Sequence, residues 1–259
     1  MSSPNFKTTD KRYKAPAPPR DHSGLDGILL VDKPAGPTSH DIVHAIRKRF
    51  GIRKVGHGGT LDPQATGLLV ILLGKGTKLS NYFMTGDKAY EGTMTLGVET
   101  NTQDADGEVT REGDWSGVTE EHVATAMRTC VGDMMQTPPM VSAVKVKGVP
   151  LYKSARKGQT VEREARLIHI YRFNILECDL PNIRFRVDCT KGTYVRTLCA
   201  DIGADLGCGA HLSALRRIGA GKLKLEDTTA FDAIMEMDEA ALKTVVLPLT
   251  RFASGGTHA

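Results

Sequence analysis

The chain has 259 residues, 40% of them hydrophobic and 25% charged, with a formal net charge of +4. That is the composition of an ordinary globular protein, long enough for one large domain or one domain plus a small lobe. No apolar run approaches the ~20 residues of a membrane span, and the polar, basic N-terminus lacks the apolar core of a signal peptide, so a cytoplasmic location is expected.

Residues 1–23, with Pro16, Pro18 and Pro19, show no hydrophobic period and read as a disordered basic tail. Gly27 to Val31 reads as a short apolar strand running into Asp32-Lys33-Pro34. Thr38 or Ser39 then caps a helix whose apolar face carries Ile42, Val43 and Ile46; Arg47, Lys48 and Arg49 suit the negative end of its dipole, and Gly51 stops it.

Residues 56–69 read Gly-His-Gly-Gly-Thr-Leu-Asp-Pro-Gln-Ala-Thr-Gly-Leu-Leu. Glycines and one proline surround a single carboxylate, Asp62. Pro63 fixes its own φ and biases Asp62 toward an extended conformation. The apolar run Leu68 to Leu73 follows, so Asp62 is expected at the mouth of a core strand. Asp-Pro with glycines is also common turn chemistry, and spacing alone leaves both readings open. Gly74-Lys75-Gly76-Thr77 suggests a phosphate loop, but Leu69 stands where that motif needs its first glycine, which excludes it.

Lys88 to Val98 alternates, with Tyr90, Gly92, Met94, Leu96 and Val98 on one face. Residues 99–117 are acidic and read as a surface loop. Thr119 opens a second helix with Val123, Met127 and Val131 inward. Pro138-Pro139 marks a break, and 138–166 reads as an inserted basic lobe. Leu167–Leu176 and Ile183–Thr190 read as strands, and Val195, Leu198, Ile202 and Leu206 as the inner face of a helix ending at Gly207. The fold class expected is α/β or α+β with a substantial mixed sheet.

The five cysteines, Cys130, Cys178, Cys189, Cys199 and Cys208, form no Cys-x-x-Cys pair, and there is no His-Glu-x-x-His. Reduced, mostly buried thiols and no zinc site are expected. Positive charge is concentrated: residues 1–22 carry +3 and residues 145–172 carry +6, leaving the remainder net acidic. Concentrated charge of this kind points to a polyanion; a solvated basic face is the competing reading.

Several ordered stretches resemble one family. They are Gly27 to Pro34, Gly56 to Leu69, Lys88-Ala-Tyr90-Glu-Gly, Pro139 to Lys145, Leu151 to Arg156, Cys189 to Leu198, and Gly207 to Arg217. Together, from about residue 25 to 250, they are similar to bacterial tRNA pseudouridine synthases of the TruB type, which isomerise uridine 55 in the TΨC loop. The resemblance implies a pseudouridine-synthase fold, with a largely antiparallel mixed sheet flanked by helices. It implies a catalytic domain over 24–252 and an RNA-clamping lobe at about 138–166; family members often carry a C-terminal PUA domain, and this chain departs from them, with only a short tail expected at 253–259.

The resemblance also assigns roles. Asp62 would be the catalytic carboxylate, acting as nucleophile or base, and Arg196 its partner, holding it ionised and aimed. Tyr90 would stack on the target uracil. His57 would fill the space left by the flipped nucleotide. Lys33 would support the loop or touch a phosphate, and Leu215 would wall the uracil pocket; Thr60, beside Asp62 in the loop, is read as a further substrate-binding residue. Lys145, Lys147, Tyr152 and Arg156 would contact RNA, carrying affinity rather than sequence choice. No cofactor, metal or obligatory protein partner is implied; the partner is the tRNA TΨC stem-loop, met by a monomer.

Two other readings compete. A non-catalytic RNA-binding protein on this scaffold would not need Asp62 and Arg196 together. A glycoside or nucleoside hydrolase needs a second positioned carboxylate, and no comparable loop supplies one.

Overall fold

The computed structural model describes residues 25–140, 145–146, 149–150 and 161–252. In chain order these form β1 (Gly27–Lys33), α1 (Ser39–Phe50), β2 (Val55–His57), β3 (Thr66–Leu73), α2 (Ser80–Thr85), β4 (Lys88–Leu96), β5 (Val98–Thr100), β6 (Val109–Glu112), α3 (Glu120–Thr129) and β7 (Gly132–Gln136). Then come β8 (Lys145–Val146), β9 (Val149–Pro150), β10 (Arg166–Asp179), β11 (Asn182–Cys189), α4 (Val195–Asp205) and β12 (Ala210–Ala220). The chain closes with β13 (Leu223–Lys224), β14 (Thr229–Ala230), α5 (Phe231–Glu236), α6 (Glu239–Val245) and β15 (Val246–Leu247).

One large sheet runs in the order β14-β1-β3-β12-β4-β11-β10-β7, with β13, β15 and β2 attached to β12, β1 and β3. Its pairings are antiparallel except β1 with β14 and β3 with β12. The α/β expectation with a mixed, largely antiparallel sheet is borne out.

Local signals act where the sequence places them. Thr38 caps α1 through a reciprocal bond with Asp41, and Gly51 ends it with φ 63°. Thr119 caps α3. The run Leu68–Leu73 is apolar throughout because both faces of β3 are covered: Leu69, Ile71 and Leu73 pack under α1, and Leu68, Val70 and Leu72 pack with Phe83, Leu223 and the C-terminal segment. The five cysteines are free thiols.

Three expectations need correction. α3 ends at Thr129, so Val131 lies outside it and is exposed; Ala126 completes the inward face. The alternation of β4 ends at Leu96, because Gly97 turns the chain (φ 85°) and Val98 begins β5. Residues 99–117 are not a bare surface loop: β5 pairs with β6, and the turn between them folds back onto β12 through Ala105 N–H to Leu212 O and Leu212 N–H to Gln103 O.

The chain leaves the sheet at Gln136 and returns at Arg166, which pair directly, and Arg163 donates to the Pro138 carbonyl at 3.0 Å. Residues 138–166 thus depart from and rejoin one sheet edge. The basic tail, and most of this excursion, lie outside the described residues.

The functional geography follows from one weak joint. β3 and β12 pair in parallel through only Arg216↔Thr66 and Arg217↔Gly67. Two well-paired half-sheets meet there, and the loop carrying Asp62 enters β3 at that joint. Gly67 is required: its φ is +95°, and a Cβ would strike the Arg217 carbonyl.

Candidate active site

Each side of the Asp62 loop is tied down by buried side chains. Leu61 N–H donates to Ser39 Oγ at 2.8 Å, and the Ser39 hydroxyl donates back to Leu61 O at 3.1 Å. Lys33, 0% exposed, donates from Nζ to the carbonyls of Pro34, Pro63 and Ala65 at 2.9, 2.8 and 2.8 Å. Arg217, 2% exposed, donates to Gly59 O, Thr60 O and Leu68 O at 3.3, 3.3 and 2.7 Å. Gly36 N–H also reaches Pro63 O, and Ala65 N–H reaches Asp62 O. The loop backbone is therefore satisfied from within, and the Asp62 side chain faces outward with 49% of its surface open.

Arg196 meets it from the first turn of α4. This guanidinium, 4% exposed, places Nη2 3.3 Å from Asp62 Oδ2 and Nη1 2.9 Å from Asp104 Oδ2. α4 starts without a side-chain cap of its own. Gln136 supplies the missing anchor, accepting from Tyr194 N–H at 2.8 Å and donating to Tyr194 O at 3.1 Å. Thr197 Oγ1 donates to Gln103 Oε1 at 2.8 Å, so two successive residues of α4 grip the acidic turn. Gln103 holds φ 65°, an uncommon backbone for a residue with a side chain and one that clusters at functional sites.

Asp62, Arg196, Asp104, Leu212 and Leu215 line a cleft of about 170 Å³. That is below the roughly 300–1,000 Å³ of drug-sized pockets, so it suits one base-sized group. Burial pushes the Asp62 carboxyl above its usual range, against the pull of Arg196; Asp104 and Asp106 push further up, and Lys33 pulls down. Arg196 thus opposes the rise that burial imposes on the Asp62 carboxyl.

The structure brings some of the sequence-selected residues together and separates others. Asp62, Arg196 and Leu215 line one cleft. Leu215 lies on β12. Tyr90, half-buried on β4, is not among the residues lining the cleft; like Leu215 it packs against both of the cores under the helices. Burial raises its phenol pKa and Arg217 opposes that rise. His57 is half-buried on β2 and does not line the cleft; its Nδ1 accepts from Gly59 N–H at 3.4 Å, and burial, then Arg217 and His40, lower its pKa. Thr60 is exposed and contributes its carbonyl to Arg217. Lys147, Tyr152 and Arg156, and the side chain of Lys145, lie outside the described residues.

Of the two readings of Lys33, the geometry fits loop support: its ammonium is enclosed and donates to three carbonyls. Burial lowers its pKa to about 8, against the pull of Asp62. Lys33→Met is expected to slow catalysis by about 10- to 100-fold through a loosened loop. The salt dependence of RNA binding is expected to stay unchanged, whereas loss of a phosphate contact would reduce the log–log salt slope by about 1. A salt titration of RNA affinity on both proteins decides.

Asp104, Arg217 and Gln136 escaped the sequence reading. Asp104 sits in a stretch whose acidic composition reads as solvated surface, and no local signal marks its fold-back. Arg217 is the second of two adjacent arginines, and only the strand's register says which one is enclosed.

The model of the TruB family pseudouridylate synthase N-terminal domain matches residues 47–195, and that of the tRNA pseudouridylate synthase B C-terminal domain matches 196–253. Fold and site therefore define a pseudouridylate synthase. A tRNA pseudouridine synthase B of Opitutus terrae is 51% identical over 87% of this chain and 93% of its own, and one of Burkholderia pseudomallei is 50% identical over 81% and 69%. The chain belongs to the TruB family.

Among solved structures, the chain is similar to one in a Cbf5-Nop10-Gar1 complex, with 31% identity and a TM-score of 0.69 over 87% of this chain and 60% of that one. It is also similar to one in an H/ACA RNP bound to a substrate RNA containing 2'-deoxyuridine, with 27% identity and a TM-score of 0.66 over 87% and 60%. The boundary between the two family models is not a boundary in space, since β12 lies between β3 and β4 within one sheet.

Proposed function

We propose that this protein is a tRNA pseudouridine synthase that isomerises uridine 55 of the TΨC loop. The observation that carries the reading is Asp62, oriented by a buried arginine at the mouth of a base-sized cleft, in a chain of the TruB family. The reaction breaks the C1′–N1 bond, turns the uracil, joins C1′ to C5 and releases the C5 proton as N1 gains one. It is an isomerisation and transfers no electrons to a carrier. A carboxylate serves as nucleophile or base in such a step, and the surrounding fixed dipoles and the guanidinium stabilise it without reorganising.

The target base is stacked within folded RNA, so it has to be extruded, at a cost of a few kcal/mol. Leu215 and Tyr90 offer an apolar wall and a ring to receive it. The basic excursion 138–166 clamps the RNA arm, with Lys145, Lys147, Tyr152 and Arg156 meeting the backbone, within one catalytic unit spanning 24–252. The chain acts in the cytoplasm, as a monomer and without an obligatory protein partner; the names of its half-identical relatives support action on tRNA itself.

The test is tritium release from a tRNA transcript labelled at C5 of uridine. Release at stoichiometry with one uridine, mapped to position 55, is expected. Tight binding of the transcript with no release would overturn the reading.

A further inference from the structure

Arg217 stands where three strands meet. On β12 it pairs across to Tyr90 of β4 on one side and to Gly67 of β3 on the other. The β12–β4 register slips between Arg217 and Gly219, and irregularities of this kind re-aim side chains beside active sites. Its guanidinium is enclosed and spends Nε on Leu68 O, Nη1 on Thr60 O and Nη2 on Gly59 O. Tyr90 is its direct cross-strand partner on β4, and the guanidinium opposes the rise that burial imposes on the Tyr90 phenol. None of these side-chain bonds is needed to pair the sheet; those to Gly59 and Thr60 hold the backbone before Asp62, the one to Leu68 holds the start of β3, and the same residue pairs with Tyr90.

We propose that Arg217 is a positioning residue: its one guanidinium ties the backbone at the start of the Asp62 loop to the strand paired with Tyr90, holding that loop and the Tyr90 ring in a single relative placement. The inference rests on the roles proposed above for Asp62 and Tyr90. The planar fork is what allows it. Its donors leave in fixed directions, whereas a lysine ammonium at the same place is a point charge on a flexible stem. A ring and a carboxylate that must act on one extruded base need their spacing held closely, because a misplacement of about 1 Å can cost roughly 100-fold in rate.

The test compares Arg217→Lys with wild type in the full chain. Tyrosine is replaced by 3-fluorotyrosine, and the Tyr90 fluorine resonance is assigned with Tyr90→Phe. Arg217→Lys is expected to bind tRNA within about twofold of wild type while its single-turnover rate falls by about 10- to 100-fold. Its Tyr90 resonance is expected to shift or broaden. Arg217→Gln, which buries no ammonium, is the second variant where the lysine protein does not fold.

A folded variant with an unchanged Tyr90 resonance overturns the proposal. So does one whose rate stays at the wild-type value, or whose rate and RNA affinity fall together. If wild type itself converts no uridine, the functional reading fails separately, and the fluorine resonance still decides whether Arg217 places the ring.

Discussion

Asp62→Asn is expected to bind tRNA as wild type does and to release C5 tritium at least about 10⁴-fold more slowly, the scale on which removal of a catalytic nucleophile falls. The amide keeps the shape of the carboxyl and loses its charge and nucleophilicity. The loop is expected to keep its place, because its carbonyls are held by Lys33, Arg217 and Ser39 and not by Asp62. Wild-type release by the amide variant would remove Asp62 from the mechanism.

The same carboxyl sets the acid limb of activity. Its folded pKa lies above the ordinary carboxylate value, and burial is the leading cause. On the role proposed for Asp62, activity requires the ionised form, so the rate is expected to fall, as pH drops, at a pH above the usual carboxylate range. The stability linkage has the opposite sign. Between the ordinary and the raised value the folded state binds more protons than the unfolded one, so stability declines as pH rises through that window. A pH–rate profile read beside denaturation curves at the same pH values checks both directions.

Arg196→Met is expected to give the second large effect. It removes a buried charge from between two carboxylates, leaving Asp62 and Asp104 facing each other. Breaking a fully buried pair costs more, but both carboxylates keep some solvent, so a loss of about 1–3 kcal/mol of stability is expected. The single-turnover rate is expected to fall about 10²- to 10³-fold, as for removal of one preorganised electrostatic partner. Arg196→Lys should fall between, since an ammonium cannot fork to both acids. Chemical denaturation and single-turnover kinetics on both variants read this directly. A methionine variant within twofold of wild type in rate would show that Asp62 needs no guanidinium.

Much of the molecule was legible from local signals. The Thr38 cap and Gly51 stop delimit α1, the unbroken apolar run marks β3 as covered on both faces, and the glycine-flanked Asp62-Pro63 marks the loop. These depend on dihedral preference, side-chain period and capping, which act over a few neighbours and are written in consecutive residues. The family-like stretches also pointed to Arg196 as the partner of Asp62, although periodicity alone would have left it on a helix.

What only the tertiary structure decided is which distant residues share an environment. Asp104 and Arg196 are 92 residues apart, and their bond forms because the β5–β6 turn folds onto β12 beside α4. Lys33 could by sequence either support the loop or touch a phosphate; it is enclosed, and its ammonium donates to three carbonyls, one of them shared with Gly36 N–H. Arg216 and Arg217 are adjacent, yet one reaches outward to Asp32 and the other is sealed beneath the loop. A strand's register sends neighbours to opposite faces, and that register is set by long-range pairing with β3 and β4.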